Sequence, residues 1–159
     1  MAKIIMEDIG VIHSPHKVPE NTPIQPVFAD DIEGTVEVFP EYAAGLKDID
    51  GFSHIFLFFH LDRAHDTHLL VKPFLDKTPR GIFATRSPFR PNKIGMSVVK
   101  LLKVEGNVLR VSGLDILDGT PLLDIKPYTR AFDDRADIKS GWHDATDAET
   151  ARKIGSRKG

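Results

Sequence analysis

Two runs of β-branched and apolar residues, 97–104 and 108–114, flank Glu105-Gly106-Asn107 in the middle of the chain. Gly-Asn supplies the positive φ angles that a tight turn demands, so this stretch is predicted to be an antiparallel hairpin. The rest of the sequence repeats the same kind of signal. Residues 4–12 read as a first strand halted by His13-Ser14-Pro15, and Ile32, Val36 and Val38 alternate with polar neighbours, with Gly34 a candidate bulge. Residues 52–61 have the length and aromatic content of a buried strand, 81–85 of a shorter one, and Asp118-Gly119 turns into a last strand at 121–125. Helical signals are few: Pro40 opens a short candidate helix at 40–46, and 147–154 has the pattern of a terminal one. Pro15, Pro19, Pro23 and Pro26 make residues 14–29 a loop, which its apolar Ile24, Val27 and Phe28 should hold against the body. Many short strands with turn punctuation, no internal repeat and no alternating helices point to a mainly β, single-domain antiparallel barrel with one or two short helices. The barrel is expected over residues 1–140, with 141–159 as a partly flexible extension.

With 159 residues, 41% of them hydrophobic, the chain can bury a sizeable core without covalent staples. It has none of the cysteines that disulfides, thiolate zinc sites, iron–sulfur clusters or thiol nucleophiles require. The longest apolar run, Ile55 to Phe59, is far short of the roughly 20 residues of a membrane span, and Glu7 and Asp8 interrupt any signal-like start. The net charge of −2 argues weakly against a nucleic-acid partner, although a balanced total can conceal a local basic patch.

Three stretches carry candidate chemistry. Arg86, Arg90 and Lys93 lie on a backbone stiffened by Pro88 and Pro91, a cationic loop suited to a carboxylate or phosphate, or else a solvated turn pairing with surface acids. Asp115, Asp118 and Asp124 could suggest a metal, but their spacing is not that of a calcium loop and no bidentate Glu follows at the required position. Asp118 is most simply a turn former. Asp115 either accepts hydrogen bonds from a ligand amine or ribose, or caps local backbone donors. His54, His60, Asp62, His65, Asp66 and His68 are zinc-compatible, but the His-Glu-x-x-His pattern is missing and no metal site is assigned. Of these, His60 ends an apolar strand, where it can project into a cleft. Dinucleotide-binding, P-loop and nucleophile-elbow glycine motifs are all missing.

Ile9-Gly-Val-Ile-His-Ser-Pro15, Gly51-Phe-Ser-His54, Phe83-Ala-Thr-Arg-Ser-Pro-Phe-Arg-Pro-Asn92, Ile94-Gly-Met-Ser97 and Leu114-Asp-Ile-Leu-Asp-Gly-Thr-Pro121, followed by Asp124-Ile-Lys-Pro-Tyr128, resemble the TsaA-like family typified by TrmO. The likeness runs in order over about residues 4–130. It implies a barrel-type, S-adenosylmethionine-dependent tRNA methyltransferase acting on the N6 nitrogen of threonylcarbamoyl-adenosine beside the anticodon. It also implies a cytoplasmic homodimer with the cofactor near the subunit interface. Carried over by position, the cofactor site would draw on Pro26, Val27, Phe28, His60, Leu61, Arg86, Met96, Ser112, Gly113, Leu114 and Asp115. His60 and Asp115 are alternative bases for the N6 proton, Arg90 and Lys93 are candidate contacts to the tRNA anticodon loop, and Phe89 is a candidate stacking surface. Bacterial members carry an additional C-terminal domain, for which 159 residues leave no room, so RNA binding would rest on the barrel, a dimer partner or the basic tail with Arg152, Lys153, Arg157 and Lys158. The alternatives are a cofactor-binding barrel without methyl transfer and a metal hydrolase built on the histidine stretch.

Overall fold

The computed structural model describes residues 1–18, 32–73 and 77–145. Six strands close into a barrel: β1 (Gly10–His13), β2 (Glu33–Val38), β3 (His54–His60), β6 (Ile94–Glu105), β7 (Val108–Ser112) and β8 (Thr120–Pro127). Around the barrel they run β1-β2-β7-β6-β3-β8, every neighbour antiparallel and β8 returning to β1. The short β4 (Leu70–Val71) and β5 (Arg80–Gly81) pair outside it. A single helical turn, α1 (Arg130–Asp133), follows the last barrel strand.

Strand alternation sorts side chains between the two faces of the wall. Ile12, Val36, Val38, Ile55, Leu57, Phe59, Val99, Leu109, Val111 and Leu122 point inward and are buried. Leu114 and Ile116, from the segment between β7 and β8, join the same core and plug one end of the barrel. The hairpin forms with Glu105 paired to Val108, but only Gly106 adopts a positive φ, of 62°. Asn107 acts otherwise: its side-chain amide donates to the Val38 carbonyl (2.7 Å) and its own carbonyl accepts the Val38 N–H (2.9 Å).

Several expectations need correction. The first strand begins only at Gly10, although Ile9 still donates to the Leu122 carbonyl and accepts the Phe39 N–H (both 2.8 Å); Ile4 and Ile5 are exposed. Of the expected strand at 81–85 only Gly81 is in one, the two-residue β5; Ile82–Ala84 coils into a 3-10 turn that the Thr85 hydroxyl closes onto the Ile82 carbonyl (2.8 Å). Pro40–Leu46 is likewise 3-10 rather than α. The proposed terminal helix at 147–154 lies outside the described residues. Gly34 is no bulge, since it pairs in register with Val111. A Cβ there would lie 2.3 Å from Leu114 Cδ1 and 2.4 Å from the His13 carbonyl oxygen, so glycine is needed for β1 and the barrel plug to approach β2. Bulges do occur elsewhere, between Phe58 and Phe59 against β8 and between Leu101 and Lys103 against β7.

Gly34→Ala is expected to destabilise the protein by about 2 kcal/mol or more, because one of the obstructing atoms is backbone and cannot swing aside. Chemical denaturation measures this. A loss below about 0.5 kcal/mol would show that β1 and the plug have slack.

Candidate functional site

The strand registers place the C-terminal ends of β1, β3 and β7 and the N-terminal ends of β2, β6 and β8 at one end of the barrel. The connections from His13 to Glu33, from His60 to Ile94 and from Ser112 to Thr120 therefore all emerge together. Every candidate cofactor or substrate residue lies on these connections or within three residues of them. Pro26, Val27 and Phe28 lie outside the described residues, but the chain on either side of that segment is fastened to one place: His16 Nε2 donates to the Leu114 carbonyl (2.9 Å), and the Gly113 and Leu114 N–H groups donate to the Ile32 carbonyl (2.9 and 3.2 Å). A carbonyl can only accept, so the His16 proton is on Nε2.

Asp118 is the junction of this end. Its Oδ1 accepts the Ser14 N–H (2.9 Å), its Oδ2 the Lys17 ammonium (2.6 Å), and its carbonyl the Arg63 guanidinium. Its own N–H donates to the His16 carbonyl (2.7 Å), while the Ser14 hydroxyl donates to Ile116 (2.5 Å). It is therefore more than a turn former. The Lys17 hydrogen bond, followed by that from the Ser14 N–H, holds its carboxyl below the usual carboxylate range.

Strand alternation separates the two candidate bases. Ser97 faces inward opposite Leu57, and its hydroxyl donates to Asp115 Oδ1 (2.7 Å), both residues being buried. His60 pairs with Ile94 and Met96 with Phe58, all on the outer face, where His60 is exposed at the rim. The Leu61 N–H donates to the Lys93 carbonyl (2.9 Å), so the predicted positions 60 and 61 abut the arginine loop. Leu114 is fully buried, its N–H given to the Ile32 carbonyl and its own carbonyl to His16, whereas Ser112 is half-buried at the end of β7.

Within the loop the three cations divide. Arg86 is exposed. Arg90 Nη1 donates to the carbonyls of Thr85 (3.0 Å) and Ser87 (3.2 Å), and Lys93 Nζ reaches those of Asp66 (2.5 Å) and Arg90 (3.1 Å). Lys93 itself has a left-handed backbone, with φ 50°. Arg90 and Lys93 thus brace the loop from within. Phe89 is partly exposed and meets His68 edge-on, with ring centroids 5.3 Å apart. Among the described residues, no three His, Asp or Glu side chains gather as a metal would require, and no helix is long and apolar enough to cross a membrane. Sequence reasoning missed Trp142, whose indole N–H donates to the Ala84 carbonyl beside the arginine loop (2.8 Å).

A closed antiparallel barrel with its long connections and its cationic loop at one end defines a binding scaffold without a Rossmann sheet. Comparison with known proteins supplies its family. A model of the tRNA-methyltransferase O N-terminal domain matches residues 11–134. The chain is 57% identical over 139 residues to a probable S-adenosyl-L-methionine-binding protein of Pyrococcus abyssi, covering 87% of this chain and 76% of that one. It is 35% identical over 137 residues to the tRNA (adenine(37)-N6)-methyltransferase of Mus musculus, covering 82% of this chain and 32% of the mouse protein. The crystal structure of TrmO from Pseudomonas aeruginosa superimposes with a TM-score of 0.76 at 36% identity, over 92% of this chain and 64% of that one. The chain belongs to the TsaA-like family typified by TrmO. It spans about a third of the mouse relative's length and less than two thirds of the Pseudomonas TrmO chain.

The depressed Asp118 carboxyl sets a pH dependence. A group whose folded-state proton affinity is lowered contributes stability that is present above its unfolded value, near 4, and is lost as pH falls through the lower folded value. Asp118→Asn should cost about 1 kcal/mol at pH 7, and the gap from wild type should close as the pH drops below about 4. Thermal melts across pH 2.5–7 test this; a gap independent of pH would deny Asp118 its charge-dependent role.

Proposed function

We propose that this protein is an S-adenosylmethionine-dependent tRNA methyltransferase that methylates the N6 nitrogen of adenosine 37, in the form bearing a threonylcarbamoyl group. The observation that carries the reading is the convergence, in a chain of this family, of the described candidate residues on one barrel end. The donor set there suits the cofactor: a guanidinium at Arg86 for a carboxylate, apolar surface at Met96 and Leu61, and imidazole at His60, with Ser112 and the Gly113–Asp115 backbone close by and Pro26, Val27 and Phe28 in the adjoining segment. When bound, S-adenosylmethionine supplies an electrophilic methyl group on a sulfonium.

The protein's part is alignment, since in-line transfer needs donor and acceptor near 3 Å and gains most from fixed geometry. Arg86 anchors a carboxylate, either of the methionine moiety or of the threonyl group. His60 takes the N6 proton as the new C–N bond forms, because it is exposed on the rim where a base can be presented. Asp115, sealed inside with Ser97, is a positioning residue that holds the 113–116 plug in place. Arg90 and Lys93 act on tRNA chiefly by fixing the loop that carries Arg86. Phe56, Phe58, Ile94, Met96 and Val98 form an apolar stripe on the outer face of β3 and β6, which a second copy of the chain covers in a homodimer beside the cofactor. The setting of this chemistry is the cytoplasm, where tRNA is modified. A second reading, a cofactor-binding barrel without methyl transfer, is favoured by the Pyrococcus relative, a probable S-adenosyl-L-methionine-binding protein, most of whose length the chain covers.

Incubation with methyl-labelled cofactor and tRNA from a strain lacking the family activity, followed by digestion to nucleosides, identifies the product. Label in N6-methylated threonylcarbamoyl-adenosine supports the first reading; saturable cofactor binding without label transfer supports the second. Arg86→Ala should weaken cofactor or tRNA binding by about 1.5–3 kcal/mol, and unchanged binding and methylation would remove its assignment. Light scattering should give a native mass twice the 17.7 kDa of the chain; a monomer would remove the dimer.

A further inference from the structure

Beyond residue 134, where the family match ends, the chain returns to the functional end of the barrel. Gly141–Ala145 forms a 3-10 turn in which the His143 N–H donates to the Ser140 carbonyl (3.0 Å) and Asp144 folds its carboxylate back onto the Ser140 N–H (3.0 Å). This turn presents Trp142, the one tryptophan of the sequence. Its indole N–H bond to Ala84 sets the position of the ring two residues from Arg86. The imidazole of His143 stacks on the indole, with centroids 3.7 Å apart and planes 26° from parallel. Next along the loop, Phe83 is 77% exposed, a large ring held at the surface beside the Trp142 tether.

Apart from Asp144, whose carboxylate is turned onto the Ser140 N–H, the charge along the neighbouring loop is of one sign. Residues 77–97 include five cations, Lys77, Arg80, Arg86, Arg90 and Lys93, and no Asp or Glu. Surface aromatic rings alongside a cluster of cations are what unpaired nucleotides bind: bases stack on the rings while the cations meet the phosphates. A small anion has no use for three rings.

We propose that Trp142 and His143, with Phe83 beside them, form a stacking platform for an unpaired base of the anticodon loop, next to the adenosine being methylated. This rests on the tRNA methyltransferase reading and adds to it a binding element outside the segment by which the family is recognised. Trp142 touches neither the methyl donor nor the acceptor nitrogen; it fixes the position of the loop that carries the acceptor.

The sole tryptophan makes the test direct. Full-length protein is titrated with a synthetic anticodon stem-loop RNA while indole fluorescence is followed, and separately with S-adenosylmethionine by calorimetry. Saturable quenching by RNA is expected. Trp142→Ala should lower RNA affinity about 5- to 100-fold, the equivalent of one base–aromatic stack. Trp142→Phe should restore most of the loss, and cofactor affinity should be the same in all three proteins. His143→Ala, which leaves the Trp142 tether in place, should lose less and guards against a folding defect in Trp142→Ala. RNA affinity unchanged in Trp142→Ala, with the wild type still methylating tRNA, would overturn this proposal alone. Loss of cofactor affinity instead would give the platform to the cofactor's adenine and overturn it too. If the wild type neither binds nor methylates the RNA, the underlying reading falls with it.

Discussion

The whole arrangement depends on a strand of four residues. β1 is hydrogen-bonded on one side to β2 and on the other to β8, and without it the other five strands would be an open sheet with two bare edges. Its fit is demanding. β2 reaches it only because Gly34 has no side chain to meet the His13 carbonyl and the Leu114 methyl. Closure puts Ile12 against Val36 and Leu122 in one core, and Leu114 and Ile116 complete that core from the end. The strand that closes the barrel is thus held by the same contacts as the plug that roofs it.

Closure also decides where function can lie. At one end lie the two-residue hairpin loop, whose Asn107 ties it to β2, and the 3-10 turns that lead from β2 to β3. At the other, three connections emerge together, and Asp118 joins two of them to the plug through Ser14, Lys17 and Arg63. Bonds that fix loops in this way lower the conformational entropy that a ligand would otherwise have to remove. Asp118 is thus as much a part of the site as the residues expected to touch a ligand.

Much of this was legible in the sequence, and what was not has identifiable causes. Turn chemistry and β-branched runs disclosed the barrel class and the central hairpin, because both signals are local. The density of cations around Arg86 disclosed the loop, again from neighbours in the chain. The roles within it were hidden: Arg90 and Lys93 look like surface cations until their side chains are seen to serve carbonyls of the loop and, for Lys93, that of Asp66, 27 residues earlier. His60 and Asp115 looked interchangeable because the parity that puts one on the rim and the other against Ser97 depends on which strands pair and in what register. Gly34 read as a bulge because the sequence cannot show what a Cβ would strike. Trp142 was overlooked because its partner is 58 residues earlier in the chain, and no local pattern announces such a bond.

The ladder between β3 and β8 is interrupted at Phe58 and Phe59. There β8 steps out of register with β3: Phe58 faces Asp124 and Phe59 faces Leu122, so Leu123 has no counterpart on the neighbouring strand. An extra residue sharpens the local coil of a strand and bends it away from the regular ladder. The irregularity lies two residues from His60, on the span of β3 that leads to the rim. The extra residue therefore coils β8 more tightly beside the span of β3 that ends in His60, so the wall of the barrel is least regular where it approaches the rim.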